Sequence, residues 1–175
     1  MMLDADRLFR EYHGTLVRYL TRRLGDRDWA EEVAQETFVR ALRQKSIGNE
    51  RSWLFAVANN LVRDEARKMS RQREHLKLLA AEGRDLEADP EDEEPTAERA
   101  NDAACARRSL ESLVERDRQA LLLKAEGLGY DEIAAVLKIE KSSVGTTLSR
   151  ARRRLAETFD ALRNPQPGSV NNVAS

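Results

Sequence analysis

Residues 130–155 read YDEIAAVLKIEKSSVGTTLSRARRRL, and the pattern inside this stretch decides the fold. Ile133, Ala134 and Leu137 recur at helical spacing over the first eight residues, Lys138 to Lys141 interrupt the period as a turn, and Ser142 to Leu155 resume it as a longer helix. A helix-turn-helix needs a small residue where its helices cross, apolar residues that lock the crossing angle, and a polar second helix able to enter the major groove. Ala134, Ile139, Val144 and Leu148 meet the first two needs. The second helix is expected to expose Lys141, Ser142, Ser143, Thr146, Ser149, Arg150, Arg152, Arg153 and Arg154. Short hydroxyl side chains near its start suit base edges and phosphates, and the later arginines suit backbone phosphate. A run of arginines alone would be no more than the solvated end of an amphipathic helix, favoured there by the helix dipole. It is the pattern just upstream that turns it into a nucleic-acid candidate.

Working back from this segment, Leu110, Leu113, Val114, Ala120, Leu121, Leu122 and Leu123 form another helical run, which Gly127-Leu128-Gly129 breaks. Before it, from about Glu82 to Asp102, stand Pro90, Pro95 and ten carboxylates with few large apolar residues, so the segment is expected to be a flexible linker. Beyond Leu162 no apolar run at helical spacing follows, and residues 164–175 read as a disordered tail.

The first eighty residues carry three helical patterns. Leu3, Leu8, Phe9, Tyr12, Leu16, Val17, Tyr19 and Leu20 make the first, ended by Gly25. Asp28 is the expected N-cap of a second, in which Ala34, Phe38 and Ala41 or Leu42 form the inner stripe while Glu32, Gln35, Glu36 and Arg40 point elsewhere. Gln44 to Arg51, with Gly48 and Asn49, reads as a loop. A third helix starting near Ser52 is expected to bury Trp53, Leu54, Val57 and Leu61, and then turns polar through Arg63, Arg67, Lys68, Arg71 and Arg73.

The fold class that follows is all-α: two small helical domains, residues 1–80 and 106–163, joined by an acidic linker over 81–105, with the helix-turn-helix in the second. Composition agrees, with 35% charged and 5% aromatic residues. The net charge of −1 hides a pattern: +4 over residues 1–80, −8 over 81–105 and +3 over 106–175. Binding to nucleic acid depends on where cations cluster, so near-neutrality excludes nothing. Cys105 has no partner for a disulfide, and with His13 and His75 it gives no metal-ligand spacing. No metal or cofactor is expected. No apolar run reaches the roughly 18 residues of a membrane span, so no membrane insertion is expected and a cytoplasmic location is.

Three motifs together resemble the sigma-70 family of bacterial transcription initiation factors. Tyr130-Asp131-Glu132-Ile133-Ala134 followed by Ser142 to Arg152 is similar to the family's promoter-reading C-terminal domain. Glu31-Glu32-Val33-Ala34-Gln35-Glu36-Thr37-Phe38-Val39-Arg40-Ala41 resembles its polymerase-binding helix, and Ser52-Trp53-Leu54-Phe55-Ala56-Val57-Ala58-Asn59-Asn60-Leu61 resembles the start of the helix that reads the promoter element near the start site. The resemblance covers roughly residues 3 to 160, and the short two-domain length looks like the extracytoplasmic-function subgroup. It implies a factor that binds core RNA polymerase and promoter DNA without catalysing anything, and that often works under an anti-sigma factor. It assigns Glu32, Gln35, Glu36 and Arg40 to polymerase, and Asn59, Asn60, Arg63, Arg67 and Lys68 to the downstream element. Asn pairs bidentately with adenine and the cations hold phosphate. By the same resemblance, the loop Gln44 to Arg51 forms a pocket for a flipped base, with Lys45, Ser46 and Asn49 able to supply hydrogen bonds. It further implies that Asp85, Glu87, Asp89 and Glu91 to Glu94 of the linker occupy the polymerase channel until nascent RNA displaces them. Gly145 and Thr147 depart from the family, standing where related recognition helices carry basic side chains, and Lys138 stands where a turn glycine is common.

A one-component regulator that binds an operator as a dimer would account for the helix-turn-helix but leaves the N-terminal motifs unexplained, and the chain has no long heptad seam. An all-helical hydrolase would need a nucleophile elbow, a phosphate loop or a ligand cluster, and the sequence has none of them.

Overall fold

The computed structural model describes residues 4–75 and 96–165; among these it contains seven helices and no strand. The first domain is α1 (Ala5–Leu24), α2 (Arg27–Leu42) and α3 (Glu50–His75). Each start has a side-chain cap that satisfies a backbone N–H the helix leaves unpaired. Asp4 accepts from Arg7 N–H at 3.0 Å, Asp26 from Trp29 N–H at 3.0 Å and Asn49 from Ser52 N–H at 2.8 Å. The cap of α2 is therefore Asp26, and the expected Asp28 lies inside the first turn, where its charge still favours the helix N-terminus. Gly25 ends α1 at φ 69°, its N–H donating to the Thr21 carbonyl at 2.8 Å.

The second domain is α4 (Ala97–Glu111), α5 (Glu115–Ala125), α6 (Tyr130–Leu137) and α7 (Lys141–Arg163). Here the structure shortens the expected linker. Thr96 caps α4 by accepting from Arg99 N–H, and Cys105 and Ser109 are buried, so residues 97–105 belong to the folded domain. Ser109 escapes the usual cost of a buried hydroxyl by donating to the Cys105 carbonyl at 2.7 Å. Glu82 and Asp85 to Glu94 lie outside the described residues, as does the tail from residue 166 onward.

The core runs through both domains as one apolar cluster, from Leu8, Leu16, Leu20, Ala34, Leu54 and Phe55 to Leu123, Leu128, Ile133, Val144 and Leu148. In α2 the inner stripe is as expected, and of its two alternatives Ala41 takes the core position while Leu42 is 62% exposed. In α3 the phase differs by one residue. Leu54, Phe55, Ala58, Leu61 and Val62 are buried, whereas Trp53 and Val57 sit at the edge of the cluster. The run WLFAV fits either phase locally, and the choice falls to Tyr19 of α1, whose ring packs on Phe55 at 5.1 Å.

α6 ends at Lys138, a non-glycine residue in the left-handed region at φ 56° and ψ 47°. That conformation costs an L-residue roughly 1–2 kcal/mol, part of which glycine would lose again as unfolded-chain entropy. Lys138→Gly should therefore raise stability by about 0.5–1 kcal/mol, read as a higher thermal midpoint with unchanged helicity. A lower midpoint would show that the Lys138 side chain contributes more than its backbone costs.

Candidate nucleic-acid and polymerase interface

The helix-turn-helix is built as the sequence implies. Ile133, Ala134 and Val136 of α6 and Val144, Leu148 and Ala151 of α7 are buried, and Leu137 and Ile139 pack at the edge. At 3.6 residues per turn, Ser142, Thr146, Ser149 and Arg153 then fall in one line along the outer face of α7, and all four are exposed. Lys141 and Arg152 flank this line on one side and Ser143 on the other, all exposed. Lys141 pairs with Asp131 at 2.8 Å in a wet ion pair that yields readily to a phosphate.

Arg150 does not share this freedom. Its guanidinium forks onto the Asp117 carboxylate, with Nε to Oδ2 at 3.0 Å and an Nη to Oδ1 at 2.5 Å, and Asp117 is fully buried at the start of α5. The expectation that Arg150 grips phosphate is corrected: its planar fork ties the recognition helix to the domain beneath it. Thr147 is also inward, 5% exposed, so this position faces the domain interior rather than the outer face of α7. Gly145 lies near Tyr130, whose Cε2 is 3.7 Å from the place a Cβ would occupy.

On α2, Glu32, Gln35 and Arg40 are exposed and Glu36 half-buried, with Glu36 and Arg40 paired at 2.8 Å one turn apart. Val39, 41% exposed in the middle of this face, gives it an apolar centre that a reading of charges passed over. The face continues onto α3 through an open cleft of about 600 Å³ lined by Glu36, Arg40, Leu61, Asp64, Glu65, Arg67 and Lys68. Asn60, Arg63 and Arg67 share one face of α3 at i, i+3 and i+7.

A second open cleft, about 390 Å³, is bounded by Arg40, Arg43, Gln44, Trp53, Val57 and Asn60. It adjoins the loop at 44–49 in which a base pocket was expected, but the lining differs. Lys45 and Ser46 are exposed outside it, Asn49 is engaged as the cap of α3, and Trp53, expected in the core, forms part of the wall.

Asn59 is the other correction. It is 1% exposed, accepting from the Tyr19 hydroxyl at 2.8 Å and from Arg23 Nη1 at 2.6 Å, and donating to Gln119 Oε1 of the second domain at 3.3 Å. Burial pushes the Tyr19 phenol up to about 12, so it remains a donor. Around Asn59 the domains meet through charge. Arg23 reaches Glu115 at 3.1 Å, Arg18 grips Glu126 through two nitrogens at 2.6 and 3.1 Å, and Arg51 grips Glu132 at 2.6 and 3.0 Å. The Arg51 guanidinium holds the Glu132 carboxyl below its ordinary range, outweighing burial, with help from the Gly129 N–H. Burial pushes Glu115 up, yet the Gln119 amide and the Arg23 and Arg118 guanidinia leave it lowered.

No described helix is long and apolar enough to cross a membrane. Comparison with known proteins agrees with the geometry. The family described as Sigma-70 region 2 matches residues 8–72, and Sigma-70, region 4 matches residues 103–155, together about two thirds of the chain. The ferric citrate uptake sigma factor FecI of Escherichia coli (strain K12) is 29% identical over 85% of this chain and 87% of its own length. The RNA polymerase sigma factor YlaC of Bacillus subtilis (strain 168) is 27% identical, over 91% and 94%. The ECF RNA polymerase sigma factor SigE of Mycolicibacterium smegmatis is 30% identical, over 89% of this chain but only 62% of its own. In fold, the chain superposes on the sigma factor RpoE of Bartonella quintana, solved in complex with the anti-sigma factor NepR, with a TM-score of 0.72 and 21% identity over 90% of this chain and 97% of that one. Two regions of one family in their proper order, each on the helices the geometry singled out, place this chain in the sigma-70 family of RNA polymerase sigma factors, within its extracytoplasmic-function group.

Proposed function

We propose that the chain docks on core RNA polymerase through the outer face of α2, with Glu32, Gln35, Glu36, Arg40 and Val39, and sets α3 and α7 on the two elements of a promoter. It works in the cytoplasm and catalyses nothing itself; its role is positional. On α7 the line Ser142, Thr146, Ser149 and Arg153 reads the upstream element, with Lys141, Ser143 and Arg152 on flanking phosphates. On α3, Asn60, Arg63, Arg67 and Lys68 hold the downstream element. The cleft beside Trp53 receives a base from the melted strand, returning by stacking part of the few kcal/mol that extrusion costs. An anti-sigma factor, of the kind bound to RpoE in its solved complex, is a further partner.

The observation that carries this reading is the continuity of the α2 face with the cationic face of α3 around a single cleft lined by residues of both helices. Glu36→Lys tests it. Loss of the exposed pair with Arg40 should change stability by no more than about 0.5 kcal/mol, while the reversed charge should strongly weaken assembly with core polymerase in a pull-down or by fluorescence anisotropy. Normal assembly with a folded variant would remove the α2 face from the account.

A further inference from the structure

The side chains that discriminate bases by paired hydrogen bonds are arginine and lysine for guanine, and asparagine and glutamine for adenine. The first three turns of α7, the part of a recognition helix that meets base edges, leave none of these free to do so. Arg150 commits its fork to Asp117 at 2.5 and 3.0 Å, and Lys141 is held by Asp131 at 2.8 Å on the flank of the outer line. Thr147 and Leu148 face inward. The outward side chains that remain over these turns are Ser142, Ser143, Thr146 and Ser149, all exposed. Thr146 differs from the three serines by one group, its γ-methyl. It stands in the middle of the line, about 6 Å along the axis from Ser142 and about 4.5 Å from Ser149. On the adjoining flank Gly145 carries no side chain, and the place of its missing Cβ lies 3.7 Å from Tyr130 Cε2. The backbone of α7 can therefore come closer to a groove floor here than a helix with a long side chain at 145, and a side chain as short as threonine needs that approach. A helical threonine can satisfy its hydroxyl on the carbonyl one turn back, as Thr37 does on Val33 at 2.7 Å, which leaves the methyl to meet an apolar partner at no polar cost.

The major groove displays one apolar group, the C5 methyl of thymine. Resting on the sigma-factor reading, we propose that Thr146 sets base identity at the middle of the upstream element, and that it selects thymine by contact between its γ-methyl and the C5 methyl. The serines on either side donate to or accept from any base edge, so they fix the helix in the groove with little discrimination. The middle of the element is then read as a thymine at one defined place and not through a guanine or adenine fork. Uracil in that place presents the same hydrogen-bonding groups without the methyl, so exchanging the two isolates this contact from every hydrogen bond around it.

The test uses the full chain assembled with core RNA polymerase and two pools of random duplex DNA, identical except that one is made with thymine and the other with deoxyuridine. Duplexes retained by the assembly are sequenced, and base preference is compared position by position. The parent chain is expected to prefer thymine at one middle position of the upstream element, and this preference should fall roughly fourfold in the uracil pool, the worth of one buried methyl group. Thr146→Ser removes the methyl and keeps the hydroxyl; it should erase the difference between pools at that position and leave neighbouring positions unchanged. Thr146→Val keeps a methyl and loses the hydroxyl; it should preserve the difference. Position 146 is exposed, so both variants are expected to fold as the parent does. Equal preference for thymine and uracil at every position overturns the proposal, as does a difference that survives Thr146→Ser or one that Thr146→Val abolishes. The chain without core polymerase, run on the same pools, tests the sigma-factor reading separately: a shared element enriched equally well without polymerase contradicts that reading, while the comparison of Thr146 variants still decides the thymine contact. An assembly that enriches no shared element from either pool overturns both.

Discussion

Phe55→Ala is expected to lower the free energy of unfolding by about 3–5 kcal/mol, the usual cost of removing a fully enclosed aromatic ring and leaving a cavity. Phe55 is 0% exposed, its ring lies 5.1 Å from that of Tyr19, and Tyr19 in turn orients Asn59. The loss therefore has two consequences: the α1–α3 packing weakens, and the buried hydrogen-bond network at the domain junction loses its backing. Trp53→Ala is the informative control. Trp53 packs only against the edge of the core and lines an open cleft, so its loss should cost far less despite the larger ring, while impairing promoter melting. Chemical denaturation of the two variants decides the phase of α3. A larger loss for Trp53→Ala would mean that the helix is rotated by about one residue from the orientation described.

Asp117→Ala is expected to cost about 2–3 kcal/mol, the range for hydrogen bonds to charged groups when a buried site is emptied. Asp117 is fully buried and anchors Arg150 of the recognition helix through two hydrogen bonds. Arg150→Ala should destabilise the domain more than Asp117→Ala, because it strands a carboxylate in the interior, whereas Arg150 released from Asp117 can turn to solvent. The double variant should recover part of that difference. If Arg150 instead gripped phosphate alone, Arg150→Ala would leave stability unchanged and lower only the salt slope of DNA binding, by about one unit. A double-mutant cycle read by thermal unfolding, together with a salt series, separates these outcomes.

The all-α class, the helix-turn-helix and the outer face of α2 were legible in the sequence because each rests on local period and on motifs longer than one turn. The residues whose placement departs from the local pattern share a different property. Arg150 lies in a run of arginines with nothing nearby to mark it, and only the approach of Asp117 from 33 residues upstream turns it inward. Asn59 and Asn60 are adjacent and chemically identical, and the burial of one of them depends on Tyr19, Arg23 and Gln119 from distant parts of the chain. Thr147 is buried through the rotation of α7, which its own side chain does not announce. The start of the second domain is hidden because acidic residues continue past Thr96, although Thr96 itself is a suitable N-cap and Ala97, Ala100, Ala103 and Ala104 favour helix.

The central claim is that this chain gives core RNA polymerase its choice of promoter, and transcription from a genomic DNA library tests it most directly. Core polymerase alone, the chain alone and the two together are incubated with the library, and the 5′ ends of the transcripts are sequenced. The account predicts that only the mixture yields discrete start sites, that these share two upstream sequence elements, and that Ser149→Ala or Arg153→Ala alters use of the farther element only. The absence of discrete start sites from the mixture, together with sequence-specific binding by the chain alone, would contradict it and favour an operator-binding regulator.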